Sequence, residues 1–125
     1  MQLCNKSDSS LVSIEKYTEW QFLENILQKR NVPKYFIGLK KMKGTWRWIS
    51  NGKCVNETGK GEFPWASSEP KNDGKCATMY KNYRRNYGRF DDLACPDKQK
   101  DAGYICERAT ACNDKKGRVF ISTPK

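Results

Sequence analysis

The chain contains no histidine. Imidazole-based acid–base catalysis and mixed Cys/His zinc sites are therefore excluded at the outset. No serine stands in a Gly-x-Ser-x-Gly turn and no two cysteines are spaced as Cys-x-x-Cys, so a hydrolase nucleophile elbow and a paired-cysteine metal or redox motif are also missing. Asp91-Asp92 is an acid pair, but adjacent acids on a loop more often bind an ion or water than move protons in a reaction. The expectation is a protein that is not an enzyme. Nor is there a run of about eighteen apolar residues or a basic-then-apolar leader after Met1. The sequence reads as an ectodomain excised from a longer protein, with no membrane span of its own.

What the chain does have is cysteine: six in 125 residues. At that density, without metal-site spacing, they are expected to form disulfides, which places the protein in an oxidising compartment. The sequons Asn5-Lys6-Ser7 and Asn56-Glu57-Thr58 make Asn5 and Asn56 glycosylation candidates and agree with an extracellular location, secreted or on a membrane protein. The length suits one domain. A net charge of +10 attracts polyanions such as sulfated glycans and acidic protein faces, or simply keeps the surface solvated. Nucleic acid is set aside because of the compartment.

Along the chain, Thr18-Glu19-Trp20-Gln21 has the form of a capping box, and Phe22, Leu23, Ile26 and Leu27 recur at helical spacing until Asn31 and Pro33. This predicts a helix over 18–30. Tyr35 to Leu39 and Thr45 to Ile49 are rich in strand formers, with Gly44 as a turn between them. From Ser50 to Lys75 the pattern disappears, as in a functional loop. Strands are again expected at Cys76–Tyr80, at Gly103–Cys106 and at 119–123, with a polar hairpin or loop over Tyr83–Arg89.

The ordered landmarks are Cys4, Leu11-Val12-Ser13-Ile14, Glu19, Phe22-Leu23, Phe36-Ile37-Gly38-Leu39, Trp46-Arg47-Trp48, Glu69-Pro70-Lys71, Cys76, Phe90-Asp91-Asp92, Cys95 and Ile105-Cys106-Glu107. In this order the set resembles the C-type lectin-like domain family over about residues 4–107, with the selectin branch the most similar. The resemblance implies an α+β fold: mixed antiparallel sheets, a flanking helix and a long loop region, stabilised by disulfides. It also implies the bridges Cys4–Cys106 and Cys76–Cys95, leaving Cys54 and Cys112 as a third bridge or as unpaired thiols.

Sugar-binding members of the family hold a calcium ion between Glu-Pro-Asn, Trp-Asn-Asp and an acid before the third cysteine. Calcium takes six to eight oxygen ligands, several of them carboxylates. Here Glu69, Asp91 and Asp92 are retained as metal candidates, but Lys71 replaces the asparagine and Lys75 precedes Cys76. An ammonium competes with the ion, and Lys71 can pair with Glu69 or Asp91 in its place. The expectation is no cofactor. The alternative is a weakened calcium site that adds Asn72 and Asp73.

Ligand-binding candidates are Lys71, Trp65, Lys81, Arg84, Arg85 and Arg89, the last four interleaved with Tyr80, Tyr83 and Tyr87; Lys40, Lys41, Lys43 and Arg47 form a second basic cluster. Tyr and Arg dominate protein-interface hot spots. A receptor-type module that binds a protein ligand without calcium is therefore expected, the alternative being a lectin for carbohydrate, calcium-dependent or sulfated.

The resemblance departs at both ends. The family's first strand and helix precede the residue matching Cys4, where this chain has only three residues. The lectin-like domain is thus read as 1–107, with 108–125 as a tail. Gly117 to Thr123 resembles the missing strand, supplied by folding back or by exchange between two chains as a dimer; the alternative is a simple linker.

Overall fold

The computed structural model describes Cys4 and residues 9–14, 16–55, 65–66, 69–71, 74–95, 102–108 and 119–122. Asn5, Asn56, Asn72, Asp73 and Cys112 lie outside these residues, as does the whole stretch 109–118. The elements run β1 (Ser9–Leu11), α1 (Tyr17–Leu27), β2 (Lys34–Met42), β3 (Thr45–Trp48), β4 (Cys76–Tyr80), a 3-10 turn (Tyr83–Arg85), β5 (Phe90–Leu93), β6 (Gly103–Arg108) and β7 (Val119–Ser122).

The helix starts one residue earlier than the capping box predicts. Lys16 is the N-cap and makes no side-chain cap bond; its carbonyl instead accepts the Trp20 N–H at 3.0 Å, so Thr18 lies inside the first turn. At the other end Lys29 and Arg30 bond back to Ile26 and Leu27, both at 3.0 Å. This tighter winding ends the α-helix at Leu27 rather than at 30. Glu19, Leu23 and Leu27, four residues apart, form its buried face.

All described strands join one mixed sheet in the order β1-β6-β2-β4-β5, with β3 on β2 and β7 on β6. The β2–β6 pair is parallel, and the other pairs are antiparallel. The main core unites Val12, Ile14, Leu23, Leu27, Tyr35, Ile37, Leu39, Trp46, Trp48, Met79, Phe90 and Ile105 from every layer. A second buried group holds Leu11, Phe36, Cys76 and the Cys4–Cys106 pair.

β7 runs antiparallel to β6, with Ile105 opposite Ile121 and Glu107 opposite Val119. Both Val119 and Ile121 pack against the main core. Because β1 and β2 occupy the other edge of β6, β7 covers backbone groups that would otherwise face solvent.

Cys4 is bridged to Cys106 across 102 residues of chain, and Cys76 to Cys95 across 19. On the chain-entropy account, a loop of the first length stabilises the fold by about 4–5 kcal/mol. Cys54 is exposed and unbridged.

Candidate functional site

β5 lies at the end of the sheet order, beside β4, with Asp91 opposite Thr78 and Asp92 opposite Ala77. Both aspartates are buried, Asp92 completely. The loop ahead of β4 reaches them through Trp65, which bridges to Phe90. The Ala66 N–H donates to the Phe90 carbonyl at 2.8 Å. Glu69 follows, joined to Pro70 by a cis peptide bond. Proline has no N–H, so the next backbone donor is Lys71.

That donor organises the site. The Lys71 N–H lies 2.8 Å from Asp92 Oδ1 and 3.2 Å from Glu69 Oε1, and the Gly74 N–H donates to Asp92 Oδ2 at 3.2 Å. Carboxylate oxygens of Glu69, Asp91 and Asp92 come within 4.8 Å of one another. Their mutual repulsion is eased by two ammonium groups: Lys71 Nζ stands 3.7 Å from Glu69 Oε2, and Lys34 Nζ stands 3.4 Å from Asp91 Oδ2. Burial, and then the two neighbouring aspartates, push the Glu69 carboxyl up to about 7. Burial and the adjacent Asp91 likewise raise the Tyr80 phenol above the ordinary tyrosine range.

The sequence candidates are thus partly brought together. Glu69, Lys71, Asp91 and Asp92 share one site. Trp65 turns inward, with its ring 5.1 Å from Trp46 and 6.2 Å from Phe90. Lys81, Arg84, Arg85 and Arg89 belong to the β4–β5 connection. Arg84 and Arg85 are exposed at its tip, between the exposed rings of Tyr83 and Tyr87. Both arginines have positive φ, 47° and 65°, and the Arg84 guanidinium lies 5.2 Å from the Tyr83 ring centre. Lys81 is turned back onto the Arg30 carbonyl, and Arg89 is half-buried.

Lys34, Tyr80 and Gly74 were not legible as site residues. Lys34 meets Asp91 because β2 and β4 pair with Lys34 opposite Tyr80, a register that local sequence pattern does not carry.

The family model for the lectin C-type domain matches residues 1–108, and the chain belongs to that family. Among curated relatives, bovine (Bos taurus) E-selectin is 34% identical over 113 residues, covering 88% of this chain and 22% of the relative. Rat (Rattus norvegicus) L-selectin is 28% identical over 116 residues, covering 90% and 30%. The chain therefore spans less than a third of the length of these relatives. Among solved structures, the Ca2+-independent C-type lectin SPL-2 of Saxidomus purpuratus superposes with a TM-score of 0.59 at 25% identity, over 71% of this chain and 62% of that one. Among the described residues no helix is long and apolar enough to cross a membrane.

Proposed function

We propose that this domain is a non-catalytic extracellular recognition module that binds a protein ligand without calcium. The observation carrying this reading is that donors already hold the carboxylate site: two backbone N–H groups on Asp92, the Lys71 ammonium beside Glu69 and the Lys34 ammonium beside Asp91. The three carboxylates offer at most six oxygens, several of which already face N–H or ammonium groups, whereas calcium takes six to eight oxygen ligands, and the lysine beside Glu69 supplies like charge where the ion would sit. The described residues therefore do not fit the ion well. SPL-2, a Ca2+-independent C-type lectin, supports calcium-free recognition on this fold. Contact with the partner would fall to Lys71 and to the exposed Tyr83, Arg84, Arg85 and Tyr87, the residue types that anchor protein interfaces. The two disulfides and the selectin relatives support the extracellular placement.

Carbohydrate binding is the second reading, favoured by the close approach of the carboxylates of Glu69, Asp91 and Asp92. Calorimetric titration with calcium, followed by a glycan array with and without chelator, separates the two. The expected result is no calcium heat below millimolar concentration and no chelator-sensitive glycan. Tight calcium binding with chelator-sensitive sugar retention would overturn the first reading.

A further inference from the structure

The connection from β4 to β5 ends in a tip where two arginines stand side by side. Arg84 and Arg85 are both exposed, and both hold left-handed backbone, with φ of 47° and 65°. In that region the β-carbon of an ordinary residue crowds its own backbone, so two such residues in succession make a strained turn. Three backbone bonds keep it wound. The Arg85 N–H donates to the Asn82 carbonyl at 2.9 Å, the Asn86 N–H to Tyr83 at 2.8 Å and the Arg89 N–H to Asn86 at 3.2 Å.

The stems on either side of the tip are fixed to α1. Gln28, the C-cap of the helix, donates from Nε2 to the Lys81 carbonyl at 2.7 Å, and Trp20 Nε1 donates to the Gly88 carbonyl at 2.8 Å. The Gly88 N–H donates in turn to the Tyr80 carbonyl at 2.9 Å. A β-carbon at Gly88 would lie 2.6 Å from Glu24 Cγ, so glycine lets the returning stem lie against the helix. Opening of the tip is thereby confined to residues 82–87. Both described disulfides, Cys4–Cys106 and Cys76–Cys95, join chain before the tip to chain after it.

We propose that the Arg85–Asn86 bond is a processing site for an endoproteinase that recognises paired basic residues, and that the cut protein persists as a two-chain domain. Such an enzyme offers acidic pockets to successive cationic side chains and draws its substrate into extended backbone. The tip presents the cations directly, and strain in its two left-handed residues favours the unwinding. Exposed loop tips are also where nicking concentrates. Hydrolysis adds water across the bond: the C–N bond breaks, the hydroxyl goes to the Arg85 carbonyl carbon and the proton to the Asn86 nitrogen. The products stay joined, because both bridges span the cut and α1 holds each stem. The other basic pairs among the described residues are less open. The N–H groups of Lys29 and Arg30 close the last turn after α1, and the Arg30 carbonyl accepts Lys81 Nζ. Lys40-Lys41 lies within β2, where Lys40 pairs with both β3 and β4. The cut would part Arg84 and Arg85 from Tyr87; its effect on a protein ligand rests on the preceding reading, whereas the cut itself does not.

The test exposes the folded, oxidised full chain to a convertase specific for paired basic residues, beside a synthetic peptide of residues 80–90. The expected result is one early cut after Arg85, read by mass spectrometry as fragments 1–85 and 86–125 once the disulfides are reduced. Without reductant the mass rises by one water, and the nicked domain keeps a cooperative melting transition. Arg85→Gln should abolish the cut. Arg84→Gln should slow this enzyme but not trypsin, whose pocket reads a single basic residue. Both variants should melt like the parent, since both positions are exposed. Survival of the folded chain while the peptide is cut, a first cut elsewhere, or a nicked protein that separates without reductant or loses its transition overturns the proposal.

Discussion

The backbone N–H of Lys71 donates to Asp92 Oδ1 at 2.8 Å, so the residue whose ammonium stands beside Glu69 also fixes, through its main chain, the most deeply buried acid of the site. Asp92 accepts a second N–H from Gly74. Asp92→Ala would remove the acceptor of the Gly74 N–H and leave the Lys71 N–H only its longer bond to Glu69 Oε1, and hydrogen bonds to charged groups are worth about 1.5–3 kcal/mol each. A loss of roughly 2–4 kcal/mol in urea unfolding is expected, with Asp92→Asn costing less because one oxygen remains. An Asp92→Ala domain as stable as the parent would show that these bonds are incidental.

Lys71→Asn removes the ammonium beside Glu69 and adds a neutral oxygen ligand. Calcium affinity should rise from undetectable into a range that calorimetry can measure, with heat released on titration. If the variant remains silent, the lysine is not what keeps the ion out.

The Glu69 carboxyl is raised from its ordinary 4.5 to about 7, so the folded protein holds this proton more tightly than the unfolded chain does. Its contribution is fully present below pH 4.5, declines as pH rises, and is gone above about 7. The parent should therefore lose stability across this window relative to Glu69→Gln, whose neutral side chain does not titrate. Parallel stability–pH curves for the two proteins would rule out the effect.

β7 shields an edge of β6, and Ile121 stands opposite the fully buried Ile105. Deleting residues 113–125, or introducing Ile121→Asp, should bring aggregation or a large drop in melting temperature, read by light scattering and calorimetry. An unchanged, monomeric truncation would return the tail to the role of linker.

Elements with a strong local period were legible in the sequence. Leu23 and Leu27 announced the helix, Trp46 and Trp48 the alternating face of β3, and Val119 to Ile121 a strand far from its partner. β1 and β5 had no such signal. Ser9 and Ser10 are weak strand formers, and Asp91-Asp92 is an acidic pair that only pairing with Thr78 and Ala77 makes into a strand. The carboxylate trio was found through the ordered family landmarks. The cation on Asp91 was not, since Lys34 arrives there by the register of β2 on β4, a long-range choice. The same limit hid the bond from the Lys41 N–H to the Lys75 carbonyl, although each lysine was noted by itself.

The Cys4–Cys106 bridge also determines how the domain would bear a pull. Tension applied between Cys4 and β7 passes directly through the disulfide and then along the chain from Cys106, so everything between the two cysteines sits in a covalently closed loop outside the force path. Mechanical load can strip β7 from β6, yet it cannot stretch the segment that carries Glu69, Lys71, Asp91 and Asp92. A ligand held there would remain on an undeformed surface while the chain's outer strand yields.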